Sequence, residues 1–329
     1  MSRVVRFHRT GGPEVLQIED LPDRALKDGE LRVRIEAIGL NRAEQMFRSG
    51  AYLEQPNLPA QNGYEASAVV LELGPGVSGF AVGEPVSVIP AFSLNAYGVY
   101  AEVAVVPAYA VVKRPKGLSA IEAAAVWMAY ITAYGALIDV AKVGKGDAVI
   151  IPAASSSVGL AAIQIVNSVG GIAIATTRTR AKEAQLKAAG AAHVIATNEQ
   201  DIVEAVNTIT GGKGARVVFD PVGGPAIEKL AAAMAAGGTL VLYGLLSLQP
   251  TPFPFGPALL KGLNVRGYTL FEVVANPERR EAAISFVTRG LEAGTLKPAI
   301  AKTFPFDQIV EAHRYLESND QFGKIIVTV

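Results

Sequence analysis

The chain of 329 residues contains no cysteine. That excludes disulfides, thiol nucleophiles and every zinc site built on thiolates. Histidine is almost as scarce: His8, His193 and His313 are the only three, too few to expect an all-histidine metal cluster. Charge is sparse as well. Charged residues make up 18% of the chain, and 30 Lys+Arg against 30 Asp+Glu leave no net charge. With no positive excess to neutralise a phosphate backbone, nucleic acid is not expected as a partner. Long apolar runs are lacking too. Ala123 to Ile138 is an uncharged run of 16 residues, short of the ~18–20 a spanning helix needs. Leu230 to Leu260 is longer, but Gly237-Gly238 splits it and Pro250, Pro252, Pro254 and Pro257 break its end. The amino terminus has no apolar core of ~7–15 residues, so no secretory signal is read there. What is present is half hydrophobic, which excludes disorder along the whole chain. The profile is that of a cytoplasmic α/β enzyme with no membrane segment.

The length leaves room for about two domains at ~100–200 residues each. VVRF, LRVRIEAIG, ASAVVLELG and EPVSVIP are β-branched runs, joined by turn-rich segments such as GPGVSG and PAFSLNAYG. At residue 119 the texture changes. LSAIEAAAVWMAYITAYGALI reads as a helix with Ser119 as N-cap and Glu122 three residues on, a capping-box pattern. Strands separated by 10–15-residue helices follow as far as Tyr243, as in a doubly wound parallel sheet with helices on both faces. AVII, GIAIA and TLVLY are apolar throughout, as strands covered on both faces are. The expected division is 1–122 with 268–329 as one domain and 123–267 as an inserted α/β domain.

The first strand of that inserted domain runs into IPAASSSVGLAAIQIV, a strand–turn–helix. In dinucleotide-binding folds this turn lets the backbone approach a pyrophosphate at the helix N-terminus. The candidate loop is Ala154, Ser155, Ser156, Ser157, Val158 and Gly159, of which only Gly159 matches the G-x-G-x-x-G frame. Alone it reads equally as a small-residue turn packing a helix on a strand; the βαβ context favours nucleotide binding. The second strand ends in ATTRTRAK, where an NAD-binding fold would place a carboxylate. Thr177 closes the strand, and Arg178 and Lys182 can receive a 2′-phosphate through charge-assisted bonds. Arg180 and Lys182 read alternatively as a solvated first turn.

These segments, with FHRTGGPEVL, AIGLNRAEQMFRSGAY, GYEASAVVLELGPGVSGFAVGEPV, TGGKGARVVFDPVGG and the closing GKIIV, resemble the medium-chain dehydrogenase/reductase superfamily. The resemblance spans essentially the whole chain and is to the zinc-free quinone oxidoreductase, or zeta-crystallin-like, branch. It implies a GroES-like catalytic domain beside a Rossmann-type one. Where zinc-containing relatives place their Cys, His and Cys ligands, this chain has Asn41, Tyr64 and Met128, so the resemblance implies no zinc. It places Asn41 near the nicotinamide ribose and Tyr52 at the substrate cleft, where relatives acting on enoyl thioesters have a proposed proton donor. It assigns Arg178 and Lys182 to the NADPH phosphate, and Gly244, Phe271, Gly323 and Lys324 to cofactor-lining loops. One further phosphate-side tyrosine of relatives is Thr197 here. Thr132 reads as a carboxamide contact or as a helix-buried hydroxyl. Tyr64, Trp127, Met128 and Tyr130 read either as a surface for stacking a flat substrate or as core.

The expected activity is NADPH-dependent hydride transfer to a quinone or an α,β-unsaturated carbonyl compound. An enoyl thioester reductase and a low-turnover NADPH-binding protein are the alternatives. The segment LNVRGYTLF is expected to be the last strand of the parallel sheet. Its exposed edge implies a homodimer through residues 263–271, with Val265 and Tyr268 in the contact.

Overall fold

The β-branched runs become a strand-rich unit and the alternating region a parallel sheet. The structure is a computed structural model describing residues 1–329. One unit comprises Met1–Met128 with Pro298–Val329, and the other comprises Ala129–Lys297.

In chain order the first unit contains β1 (Ser2–Phe7), β2 (Gln17–Leu21), β3 (Glu30–Gly39), α1 (Arg42–Ser49) and β4 (Ala60–Gln61). It continues with β5 (Glu65–Leu73), β6 (Pro85–Val88), β7 (Val103–Pro107), β8 (Val111–Lys113) and α2 (Ala120–Ala123). β3 pairs antiparallel with both β5 and β7, so Val33 lies opposite Val70 and Ala104. Leu31, Val33 and Ile35 are buried while Arg34 is exposed, the period-2 alternation read in the sequence.

Ser119 caps α2 as expected: its backbone N–H donates to the Glu122 carboxylate at 2.9 Å. The helix expected to follow without a break is interrupted at Ala124–Val126, resumes as α3 (Trp127–Tyr134), and widens into a π-helical turn at Gly135–Val140. Gly135 shows why the run deforms there. A Cβ at this position would lie 2.0 Å from the Tyr268 hydroxyl oxygen, so another segment presses on the helix. The combined run Ala120–Val140 has 21 residues, longer than the stretch read from sequence, and passes the length and composition test for a membrane span. Within its most apolar window, 78% of the residues are buried by the protein itself.

In the second unit β9 (Ala148–Ile151), α4 (Ser157–Ser168), β10 (Ile172–Thr177), α5 (Glu183–Ala188), β11 (His193–Ala196) and α6 (Ile202–Thr210) alternate. They are followed by β12 (Ala215–Asp220), α7 (Ile227–Ala232), β13 (Met234–Leu242), α8 (Phe255–Lys261) and β14 (Asn264–Gly267). The strands form one parallel sheet in the order β11-β10-β9-β12-β13-β14. Ile150, Ile174, Ile195, Val218 and Leu240 pack in one core cluster on it. The chain winds outward from β9 in one direction and then from β12 in the other. The loop leaving β9 therefore sits at the switch point, where open α/β sheets bind ligands.

Two expectations need correction. The chain does not return to the first unit at 268: α9 (Phe271–Val274) and α10 (Pro277–Glu292) belong with the second unit. Phe286 packs on Tyr134 with ring centroids 5.0 Å apart, and Arg279 Nε donates to Asp139 at 2.6 Å. These tertiary contacts leave no mark in local sequence texture. The last parallel strand is also shorter than LNVRGYTLF, and Tyr268, expected in a subunit contact, is 3% exposed within its own chain.

The chain closes with β15 (Ile300–Pro305), α11 (Ile309–Ser318) and β16 (Lys324–Thr328) in the first unit. β16 pairs antiparallel with β3 and parallel with β15, completing a sheet of seven strands.

Candidate functional site

The first unit builds a buried polar cluster where β3 gives way to α1. Asn41 is the N-cap of α1 and is 7% exposed. Its Nδ2 donates to Gly39 O at 3.1 Å, Glu44 Oε1 at 3.1 Å and Glu65 Oε1 at 3.2 Å. Its Oδ1 accepts from Lys324 Nζ at 2.5 Å, and the same ammonium pairs with Glu65. Lys324 and Glu65 are both buried, and Glu65 accepts a further bond from Met128 N at 2.9 Å. A buried ion pair is tolerable when added donors satisfy it in this way. The structure thus brings Asn41 and Lys324 into contact through 283 residues of sequence separation.

Two carboxylates that sequence reasoning missed, Glu44 and Glu65, hold this pair. Glu44 had a signal: it stands three residues after an N-cap asparagine, the spacing of a capping box. Glu65 had none beyond being a charge at the head of an apolar strand.

Tyr52 lies near the start of the following loop and is half-buried. Burial pushes its phenol up to about 12, so it is protonated at neutral pH. Its hydroxyl is hydrogen-bonded with that of Tyr64, whose own pKa burial raises far above the usual phenol range. The Tyr52 and Tyr64 rings meet edge-on at 6.2 Å, and Tyr64 packs on Phe92 at 5.8 Å. Glu54 fastens the loop, accepting from Leu94 N at 2.8 Å and Asn95 Nδ2 at 3.1 Å. Trp127 is 0% and Met128 5% exposed. Tyr64 is equally buried at 0% exposed and Tyr130 at 2%, so of the two readings of this group burial favours core.

In the second unit β9 runs into Pro152–Ser156 and α4. Ser156 is the N-cap, its Oγ accepting from Gly159 N at 3.1 Å. The amides of Ser157 and Val158, in the first turn, have no intrahelical acceptor and are the donors such a turn offers an anion. Ala154 is fully buried, and its N–H donates to Thr176 O at 3.4 Å. Gly159 is 2.7 Å from Ala154 Cα when given a Cβ; it is the glycine that lets the helix pack on the strand.

Thr177 ends β10, with Arg178 exposed beside it. Lys182 Nζ reaches back to Ser155 Oγ at 3.4 Å, whereas Arg180 turns away to Glu199, Nε to Oε2 at 3.0 Å. The structure therefore separates the two basic residues: Lys182 faces the loop between β9 and α4, and Arg180 is in a surface ion pair. Thr197 is exposed, and its hydroxyl donates to Thr177 O at 3.3 Å.

The remaining expected residues lie apart in sequence. Thr132 is buried in α3, Gly244 follows β13, Phe271 opens α9 and Gly323 precedes β16. No group of three or more His, Asp or Glu side chains is placed to hold a metal ion.

Comparison with known proteins agrees with both units. Residues 27–116 match a family model described as an alcohol dehydrogenase GroES-like domain, and 157–289 match one described as a zinc-binding dehydrogenase. The human protein named quinone oxidoreductase is 30% identical, over 99% of this chain and 98% of its own. A 2-haloacrylate reductase from a Burkholderia species is 30% identical over 98% and 97%. The crystal structure of Escherichia coli quinone oxidoreductase complexed with NADPH aligns with a TM-score of 0.92 at 30% identity, over 99% and 100% of the two chains. A structure titled NAD-dependent alcohol dehydrogenase aligns at 0.89 and 32%, over 99% of each chain. The chain belongs to the medium-chain dehydrogenase/reductase superfamily, in its zeta-crystallin-like quinone oxidoreductase branch, and is an oxidoreductase of that family.

Proposed function

We propose that this oxidoreductase is NADPH-dependent and zinc-independent, and that it delivers hydride to a quinone or an α,β-unsaturated carbonyl compound. The observation that carries the cofactor reading is the arrangement at the end of β10. Lys182 lies against Ser155 of the phosphate loop, Arg178 stands exposed beside it, and no carboxylate closes the strand. Two cations there suit a 2′-phosphate, and a ribose diol would instead call for an acid.

The residues present fit the nucleotide. Ser155–Val158 would hold the pyrophosphate at the helix N-terminus, while Arg178 and Lys182 would take the 2′-phosphate. Asn41 and Lys324 would meet the nicotinamide ribose: beyond their mutual contact, Asn41 Oδ1 keeps a lone pair and the Lys324 ammonium a proton, a pair suited to hydroxyl groups. Bound NADPH supplies the hydride, and the chain's own groups bind, orient and handle the proton. Tyr52, protonated and backed by Tyr64, is the proposed proton donor for an enone acceptor.

Zinc independence is supported by the chemistry of Asn41, Tyr64 and Met128, which offer an amide, a phenol and a thioether where zinc sites favour thiolate and imidazole. Reduction of an activated alkene is supported by the relative named 2-haloacrylate reductase. We further propose a homodimer paired through β14, the unpaired edge of the six-stranded sheet, with Val265 partly exposed and Leu259 and Leu260 exposed nearby. Nucleotide fluorescence titration tests the cofactor reading: NADPH should bind more tightly than NADH, and equal affinities would overturn it.

A further inference from the structure

Behind Asn41 the first unit buries a chain of polar side chains with a direction built into it. Arg48, on α1, is 0% exposed and donates through NH1 to His313 Nδ1 at 2.8 Å. His313, on α11 and also 0% exposed, meets the Tyr100 hydroxyl through Nε2 at 3.2 Å. Tyr100 meets Glu44 Oε2 at 2.8 Å. A guanidinium has no acceptor, so His313 Nδ1 must carry a lone pair. The imidazole proton then sits on Nε2 and points at the Tyr100 oxygen. With that oxygen accepting, the Tyr100 proton can go only to Glu44.

Glu44 is the terminus of this sequence and receives nothing but donors. Oε2 accepts from Tyr100 and from Asn41 N at 2.6 Å; Oε1 accepts from Tyr64 N at 2.9 Å and Asn41 Nδ2 at 3.1 Å. Four donors on two oxygens leave no place for a carboxyl proton. Burial works the other way and leaves the Glu44 pKa raised to about 7, while the Lys324 ammonium and these donors lower it; the donor set is what stands against protonation. Arg48 is itself anchored at both ends, to Gly11 O at 3.1 Å and to Glu317 at 2.6 Å.

We propose that Arg48, His313 and Tyr100 are positioning residues for the nucleotide: a one-way hydrogen-bond chain that keeps Glu44 an acceptor and thereby fixes how Asn41 is presented. With Nδ2 held by Glu44 and Glu65, Asn41 must turn Oδ1 to Lys324. Loss of the Glu44 acceptor leaves Nδ2 only Gly39 O and Glu65, which loosens the amide and weakens the surface offered to a ribose hydroxyl. The inference rests on the reading of Asn41 and Lys324 as nucleotide contacts.

Tyr100→Phe removes one oxygen and keeps the ring. It should weaken NADPH binding and raise its KM about five- to tenfold, the worth of about one hydrogen bond, with kcat at saturating NADPH changed less than about twofold. His313→Leu should do the same. His313→Gln, whose amide can accept from Arg48 and donate to Tyr100, should restore binding. Tyr100→Phe combined with Asn41→Ala should bind no worse than Asn41→Ala alone, because the tyrosine acts through the asparagine. Unchanged NADPH affinity in Tyr100→Phe, additive losses in the double variant, or a lowered kcat at unaltered KM would each overturn the proposal.

A ligand-free readout separates this inference from the reading beneath it. Nitrogen NMR of the intact protein should find His313 neutral and protonated on Nε2 down to pH 5. An Nδ1–H tautomer or an imidazolium at pH 6 refutes the chain itself, whatever binds. Failure of the wild-type protein to bind NADPH, with the tautomer as drawn, overturns the nucleotide reading and the positioning role with it.

Discussion

Removing Lys324 exposes how much the buried pair with Glu65 contributes. Lys324→Met keeps the aliphatic stem and deletes the ammonium, leaving a Glu65 carboxylate that is 0% exposed with the Met128 and Asn41 amides as its donors. Breaking a buried pair from one side costs about 3–5 kcal/mol, because the surviving charge stays desolvated. For a unit of this size that corresponds to a fall of roughly 6–20 °C in its melting temperature. Glu65→Gln strands the ammonium instead and should cost a similar amount. Glu65→Gln with Lys324→Met leaves neither member of this pair charged, so its cost should fall below the sum of the singles by about 2 kcal/mol or more. Trp127, the single tryptophan, is buried beside Met128 in the same unit. Its fluorescence during urea unfolding therefore reports on the right region. Single-variant losses that add to within about 0.5 kcal/mol would refute the pairing argument.

The other predictions concern His313, the phosphate end and the sheet edge. Burial and the neighbouring Arg48 and Arg42 lower the His313 pKa from 6.5 to about 3. The unfolded chain takes up a proton that the native state refuses. The His313 contribution is thus full above pH 6.5 and is lost as pH falls toward 3, by up to ~1.4 kcal/mol per pH unit. The prediction is therefore for the difference between wild type and His313→Gln in urea titrations at pH 7, 6 and 5; parallel curves would contradict it. Arg178→Glu should reduce the preference for NADPH over NADH by about tenfold or more, as a charge-assisted phosphate bond becomes a repulsion; an unchanged ratio in paired titrations would remove Arg178 from the site. Light scattering should give twice the 34.4 kDa chain mass, lowered by Val265→Pro, and a wild-type monomer would end the dimer proposal.

What was legible in the sequence followed from local periodicity. LRVRIEAIG alternates and is β3; AVII does not alternate and is β9, buried on both faces. The cap at Ser119 and the turn into α4 were legible because a few neighbouring residues specify them. The buried network was not. Lys324 and Asn41 meet across 283 positions, and His313 finds Tyr100 across 213 and Arg48 across 265. The three histidines have no partners nearby in sequence to tell them apart; His8 and His193 are exposed, and His313 is a member of the cluster. Trp127 read either as a stacking surface or as core because composition does not tell an aromatic in a core from one in a cleft. The place of α10 in the second unit depends on contacts such as Tyr134 with Phe286, which no local pattern encodes.

Steady-state oxidation of NADPH by the intact, exhaustively chelated protein, followed at 340 nm across a panel of quinones and α,β-unsaturated carbonyl compounds, tests the central claim most directly. The account predicts turnover with at least one acceptor class, faster with NADPH than with NADH and unaffected by removal of metal. Binding of NADPH without turnover on any acceptor, or turnover that returns only when zinc is added, would contradict it.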